Sequence, residues 1–169
     1  MGRLKDRIEP GVRVLFVGIN PGIRSARTNH HFAGYSNRFW KLLHDARLVP
    51  EPVDYLSDDR LPEWGFGITN LVARETPGIN TLSRAECLAG TTILRRKIKR
   101  YRPQIVALVG VTVYRWLFGA KGPVKLGLQR ETLEGSQVFV LPNPSGRNAN
   151  YAYAEMLTAF QSLHRHITR

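Results

Sequence analysis

Two asparagines sit in nearly the same short context. Asn20 lies in G-I-N-P-G (18–22) and Asn143 in L-P-N-P-S-G (141–146), and each closes an apolar run. An amide offers a carbonyl acceptor and an NH2 donor without charge, glycine lets the main chain approach a ligand, and proline stiffens the turn. A lone N-P-G is also an ordinary turn between a strand and a helix. The second copy, with Asn70 near the end of G-F-G-I-T-N-L-V (65–72), points instead to a polar-ligand site built from amides.

The elements that must carry these residues follow from the apolar pattern. Val12, Val14, Leu15, Phe16 and Val17 are apolar on both sides of the pleat, as in a parallel strand covered on both faces. In open α/β sheets ligands lie beyond the carboxyl ends of strands, which places the site at the Gly18–Gly22 turn. Ile23 to Gly34 has little periodicity and reads as a loop across the site. Ser36 is the expected N-cap of a helix through Phe39, Leu42, Leu43 and Ala46 that Pro50 and Pro52 stop. The segment from Glu51 to Glu63 reads as a surface connection, followed by the strand at 65–72.

Ser83 and Glu86 form a capping box for a long helix with Cys87, Thr91, Leu94, Ile98 and Tyr101 on one face, ended by Pro103. Gln104 to Gly110 is the next buried strand, and Gly119 caps a short helix through Tyr114, Trp116 and Leu117. Lys121 to Leu133 reads as a loop wrapping an edge before a strand at Val138–Leu141. A final helix is expected from about Tyr151 to His164, with Ala152, Met156, Ala159, Phe160 and Leu163 facing inward. This alternation predicts one three-layer α/β/α domain over residues 1–169, with a mostly parallel central sheet of four or five strands. If the turns share one sheet edge, Asn20, Asn70 and Asn143 converge on a single cleft.

Composition narrows the partner. Twenty-five Lys and Arg against 13 Asp and Glu give a net charge of +12, which favours a polyanion, with nucleic acid first. Arg95, Arg96, Lys97, Lys99 and Arg100 are either a phosphate-contacting surface or a solvated helix face, and a charge run on a helix is usually the latter. Cys87 is the single cysteine, so one chain forms no internal disulfide or cysteine-ligated cluster. His30-His31 and His164-x-His166 lack carboxylate or cysteine partners at metal spacing, so solvated or supporting histidines are expected and no metal. Neither G-x-x-x-x-G-K-[ST] nor G-x-G-x-x-G occurs. A polar N-terminus and the lack of a long apolar run lead to the expectation of a cytoplasmic protein without a membrane partner.

The motifs G-I-N-P-G (18–22), H-F-A-G-Y-S-N-R-F-W (31–40) and L-P-N-P-S-G (141–146), in that order, resemble the mismatch-specific uracil-DNA glycosylase and thymine-DNA glycosylase branch of the uracil-DNA glycosylase superfamily. The resemblance runs from about Val12 to the C-terminal helix. It implies hydrolysis of the N-glycosidic bond of uracil, with thymine or other deaminated bases as further candidates, mispaired with guanine in double-stranded DNA and without cofactor; a monomer is expected. It places the attacking water on Asn20 and assigns Asn143 to base or water. Base contacts would come from the backbone of Ile19 and Phe32 and from stacking on Phe32. The edge of uracil, O4 as acceptor and N3–H as donor, matches an asparagine amide, for which Asn70 is the candidate, and Ser25 is a further base-binding candidate. Ser145, Gly146, Arg147 and Asn148 would form the loop entering the DNA. Arg147 departs from the apolar wedge of many relatives, which leaves a wedge and a phosphate contact both open. A non-catalytic DNA- or nucleotide-binding domain on the same fold is the competing reading.

Overall fold

The computed structural model describes residues 4–77 and 81–168. Its five strands are β1 (Val14–Gly18), β2 (Phe66–Asn70), β3 (Ile105–Val109), β4 (Gly127–Leu133) and β5 (Ser136–Leu141), in the sheet order β2-β1-β3-β5-β4. All neighbours pair parallel except β4, which runs antiparallel to β5 at the edge. The helices are α1 (Ile23–Thr28), α2 (Phe39–Asp45), α3 (Arg84–Tyr101), α4 (Val111–Phe118) and α5 (Tyr153–Ile167), with a 3-10 helix at Tyr55–Trp64.

Period-two alternation sends successive strand residues to opposite faces. Val14, Phe16, Ile68, Ala107 and Phe139 pack with α2, α5 and Leu61 of the 3-10 helix on one side. Leu15, Val17, Val106, Leu108 and Val140 pack against α3 and α4 on the other. The sheet thus has apolar cover on both faces, which is why its central strands read as unbroken apolar runs. The chain leaves β1 for β2 on one side, whereas β3 leads to β5 on the other. The crevice beyond the carboxyl ends of β1 and β3 is therefore the topological switch point where α/β proteins bind ligands.

Several elements differ from the expectations. Ile23–Thr28 is a helix and not part of a loop, and its single buried side chain is Ser25, so it offers no apolar stripe to read. Ser36 does not cap α2: the helix begins at Phe39, and Asn37 Oδ1 accepts the Phe39 N–H. The Glu51–Glu63 stretch contains most of the 3-10 helix, which buries Asp58 and Leu61. Within Lys121–Leu133 lies the edge strand β4, whose largely exposed, polar residues hide it from a search for apolar alternation. Ala152 is exposed, because α5 starts one residue later and runs on to Ile167. The capping box at Ser83 and Glu86 and the Gly119 cap form as expected.

The N-terminal segment is a strap. Arg7 exchanges main-chain hydrogen bonds with Ile68 on the outer edge of β2, at 3.0 and 2.9 Å. Asp6 pairs with Lys97 of α3 at 2.6 Å and accepts from the Thr69 hydroxyl at 2.7 Å. Arg7 reaches the Asn29 carbonyl at 2.9 Å and lies 3.5 Å from the fully buried Asp58 carboxylate.

Candidate functional site

A cleft of about 1020 Å³ opens at the switch point. Ile19, Asn20, Ser25, Phe32, Asn70, Asn143, Ser145, Arg147 and Asn148 all line it, so the three asparagines meet as their sequence positions suggested. Gly146 carries its neighbours there by a different contact: a Cβ at this residue would come within 2.4 Å of Ser36 Cβ and 2.8 Å of the Ser36 carbonyl. The missing side chain is what seats the second motif against the first half of the chain. Arg38 N–H completes the join by donating to the Pro144 carbonyl at 3.0 Å.

Asn20 is held from one end. Its Nδ2 donates to Thr76 Oγ1 at 2.8 Å, the Arg74 carbonyl at 3.1 Å and the Pro21 carbonyl at 3.3 Å. With the NH2 group committed, Oδ1 is the end of the amide left to accept from a ligand or water. Thr76 also donates its N–H to Pro21, and its segment is anchored by two hydrogen bonds from Arg74 to Glu86, at 2.7 and 3.0 Å. That guanidinium, then the Ser83 N–H, holds the Glu86 carboxyl down at about 2, so the anchor stays ionised through the neutral range.

Asn70 is oriented by His31. The His31 ring is buried, so it is a supporting histidine and not a solvated one. Burial lowers its pKa from the ordinary 6.5, with Lys5, Asp58 and Asp6 opposing and Arg7 assisting. The neutral ring has one N–H, and because Nε2 faces the Lys5 carbonyl at 2.7 Å, that nitrogen must carry it. Nδ1 is then an acceptor, and it faces Asn70 Nδ2 at 3.4 Å. This polarity turns Asn70 Oδ1 towards Gly18, where a Cβ would lie 2.6 Å from the oxygen. Gly18 and Asn70 are register partners at the ends of β1 and β2.

Phe32 adopts a left-handed backbone conformation, φ 50°, which a phenylalanine enters at a cost of about 1–2 kcal/mol. The surroundings enforce it. His31 N–H donates to Asp58 Oδ2 and His30 Nδ1–H to Asp58 Oδ1, both at 2.8 Å, while Ala33 N–H donates to Ser25 Oγ at 3.0 Å. One ring face stacks on Phe39, with centroids 4.3 Å apart, and the ring edge lies beside Gly18. Neither the N–H nor the carbonyl of Phe32 has a partner among the described residues, so both remain for a ligand. The Ile19 carbonyl accepts from Val72 at 2.9 Å, so a ligand would be met by its N–H.

Asn143 forms an Asx turn, its Oδ1 accepting from Ser145 N–H at 2.9 Å, and its Nδ2 stands 3.9 Å from the Cβ position of Gly110. Asn148 ties the loop by donating to the Asn143 carbonyl at 2.9 Å. Arg147 is exposed and donates across the cleft to the Pro77 carbonyl at 3.2 Å. The first turn of α4, Val111–Val113, also lines the cleft and presents the positive end of its dipole there.

No carboxylate is among the described residues lining the cleft, whereas Arg24 and Arg147 are. The basic run of α3 lies elsewhere. That helix starts near the carboxyl end of β2 and finishes before the amino end of β3, so its last two turns lie away from the cleft. Arg95 and Lys99 pair with Glu134, and Lys97 pairs with Asp6. Thr76, Asp58, the anchor from Arg74 to Glu86 and the contact of Gly18 with Asn70 all act by positioning, and no local pattern in the sequence marks them. No cluster of three or more His, Cys, Asp or Glu among the described residues is spaced to hold a metal.

A three-layer domain with an amide-lined, carboxylate-free cleft at its switch point defines the architectural class. A family model of the uracil DNA glycosylase superfamily matches residues 6–164, and the chain belongs to that superfamily. Its members are typically DNA glycosylases, hydrolases acting on DNA.

Proposed function

We propose that this protein is a monofunctional DNA glycosylase of the mismatch-specific branch, excising uracil paired with guanine in duplex DNA. Thymine and other deaminated bases opposite guanine are further substrates to test. It acts as a monomer in the cytoplasm, on the chromosomal DNA. The observation that carries this reading is the set of fixed amides beside an aromatic ring in a cleft without a carboxylate.

A base inside a duplex is out of reach, so it must be extruded into a pocket that reads its edge and stacks on its face. Phe32 supplies the face. Uracil presents O4 as acceptor and N3–H as donor, which the second Nδ2–H and the Oδ1 of Asn70 match together. Cleavage breaks the bond from C1′ to N1, and the electron pair leaves with the base as a uracil anion. Main-chain N–H groups and the positive end of α4 stabilise that anion. Water held on Asn20 Oδ1 adds to the oxocarbenium-like C1′ and gives up a proton to solvent, leaving an abasic sugar. An amide orients water but takes no proton, so the gain of about 10²- to 10⁴-fold that a general base provides is missing and turnover is slow.

The lack of a carboxylate base also suits the competing reading, a binder without catalysis. Excision decides between them. Purified protein in excess chelator should release free uracil from a G·U duplex and leave an unbroken abasic strand, since neither asparagine motif holds a lysine for a Schiff base. Asn20→Ala should lower the single-turnover rate by roughly 10²-fold or more with duplex affinity nearly unchanged. No uracil release, or activity abolished by chelator and restored by metal, overturns the proposal.

A further inference from the structure

Tyr35 is 90% exposed on the rim of the cleft, yet it is pinned. The Arg24 guanidinium carbon lies 3.8 Å from its ring centroid, and Arg24 Nη1 donates to its hydroxyl at 2.8 Å. Arg24 is fixed in turn. Its Nε donates to the Ala33 carbonyl at 2.8 Å and its Nη2 to the Tyr55 hydroxyl at 3.3 Å. All three acceptors are neutral, and no carboxylate among the described residues pairs with Arg24, so a full positive charge stands uncompensated beside a rigid, open aromatic face.

A fixed cation next to a fixed π surface suits a ligand that alternates anionic groups with flat rings, which is a nucleic-acid strand. Location selects the nucleotide. Phe32 lines the cleft three residues earlier, and Tyr35 precedes Ser36, on which Gly146 of the second motif is seated. The Tyr35 ring therefore stands at the mouth, outside the space that an extruded base occupies. Extrusion also leaves the neighbouring base without one of its stacking partners.

The geometry points to Arg24 and Tyr35 as a platform for the nucleotide adjacent to the extruded one, with the open ring face against its base and the guanidinium towards its phosphate. This rests on the reading of the cleft as the place where a nucleotide is extruded. The ring holds the strand in its parted form, and Arg24 keeps the ring from turning.

The test is binding to a duplex with an abasic-site analogue opposite guanine and 2-aminopurine beside it. Tyr35→Ala should weaken this complex by roughly 5- to 150-fold, the range for loss of base–aromatic stacking, and abolish the 2-aminopurine signal. Tyr35→Phe should keep both, and Arg24→Gln should reduce the salt slope by about one. Unchanged affinity and signal in Tyr35→Ala overturn the platform, as does an equal loss on undamaged duplex. Because the probe needs no excision, the two readings part. A protein that releases no uracil but loses the abasic duplex on Tyr35→Ala keeps the platform and loses the glycosylase; active excision with a silent Tyr35→Ala does the reverse.

Discussion

Gly18→Ala is a one-carbon change with an outcome set by geometry. The new Cβ would lie 2.6 Å from Asn70 Oδ1 and 3.4 Å from Phe32 Cζ, so the amide and not the ring is displaced. The oxygen must retreat by roughly 0.8 Å to reach ordinary contact, and a misplacement of about 1 Å costs on the order of 10²-fold in rate. Stability should hardly fall, because Gly18 has no positive φ and the atom in its way is the far end of a side chain that can shift. The assay is single-turnover excision on G·U duplex with a parallel thermal melt. The decisive arm is the double variant: if Gly18→Ala acts through Asn70, adding it to Asn70→Ala changes little, since the displaced group is already gone. Additive losses, or a Gly18→Ala enzyme as fast as the parent, would refute the argument.

Three further outcomes follow from the site. Excision should be level from neutral pH down to about 6.5 and decline in more acid solution, because protonated His31 turns Nδ1 into a donor facing the Asn70 NH2 group. The lowered His31 pKa gives the stability contribution the same sign: it is complete above 6.5 and lost as pH falls through the folded-state value, since the unfolded chain takes up the proton first. His31→Gln should remove the acid limb of the rate profile, and a limb that persists would assign it elsewhere. Arg147→Ala should lose more on G·U than on A·U if the guanidinium leaves Pro77 to fill the gap and bind guanine; equal losses with a salt slope lower by about one would make it a phosphate contact. Neutralising Arg95, Arg96, Lys97, Lys99 and Arg100 should leave the salt slope of DNA binding unchanged, given the ion pairs of Arg95, Lys97 and Lys99 and the place of these last turns of α3 away from the cleft; a slope shallower by several units would place α3 on DNA.

What the sequence made legible was whatever depends on neighbours along the chain. The apolar runs of β1, β3 and β5, the capping box and the asparagines at strand ends all announce themselves locally. Elements without an apolar stripe did not: α1 buries only Ser25, and β4 is a polar edge. The supports of the site were silent for another reason. Thr76 meets Asn20 across 56 residues of sequence, and Asp58 meets His31 across 27, so their roles exist only after folding. Ser36 shows both effects, since a serine before an apolar run suggests a cap while its actual neighbour is Gly146.

The N-terminal strap has a bearing on how the protein would fail. Lys5 fixes the tautomer of His31, and Arg7 braces the Asp58 that holds the Phe32 loop, yet this segment adds no strand to the central sheet. A segment joined to the sheet edge by a single bridge opens at far lower free energy than the sheet core. Warming would release the strap first, freeing His31 to reorient and the loop to drift, while the buried strands kept their protection against hydrogen exchange. Function would then melt before the fold, and a change that loosens Lys5 or Arg7 would act as an active-site mutation made at a distance.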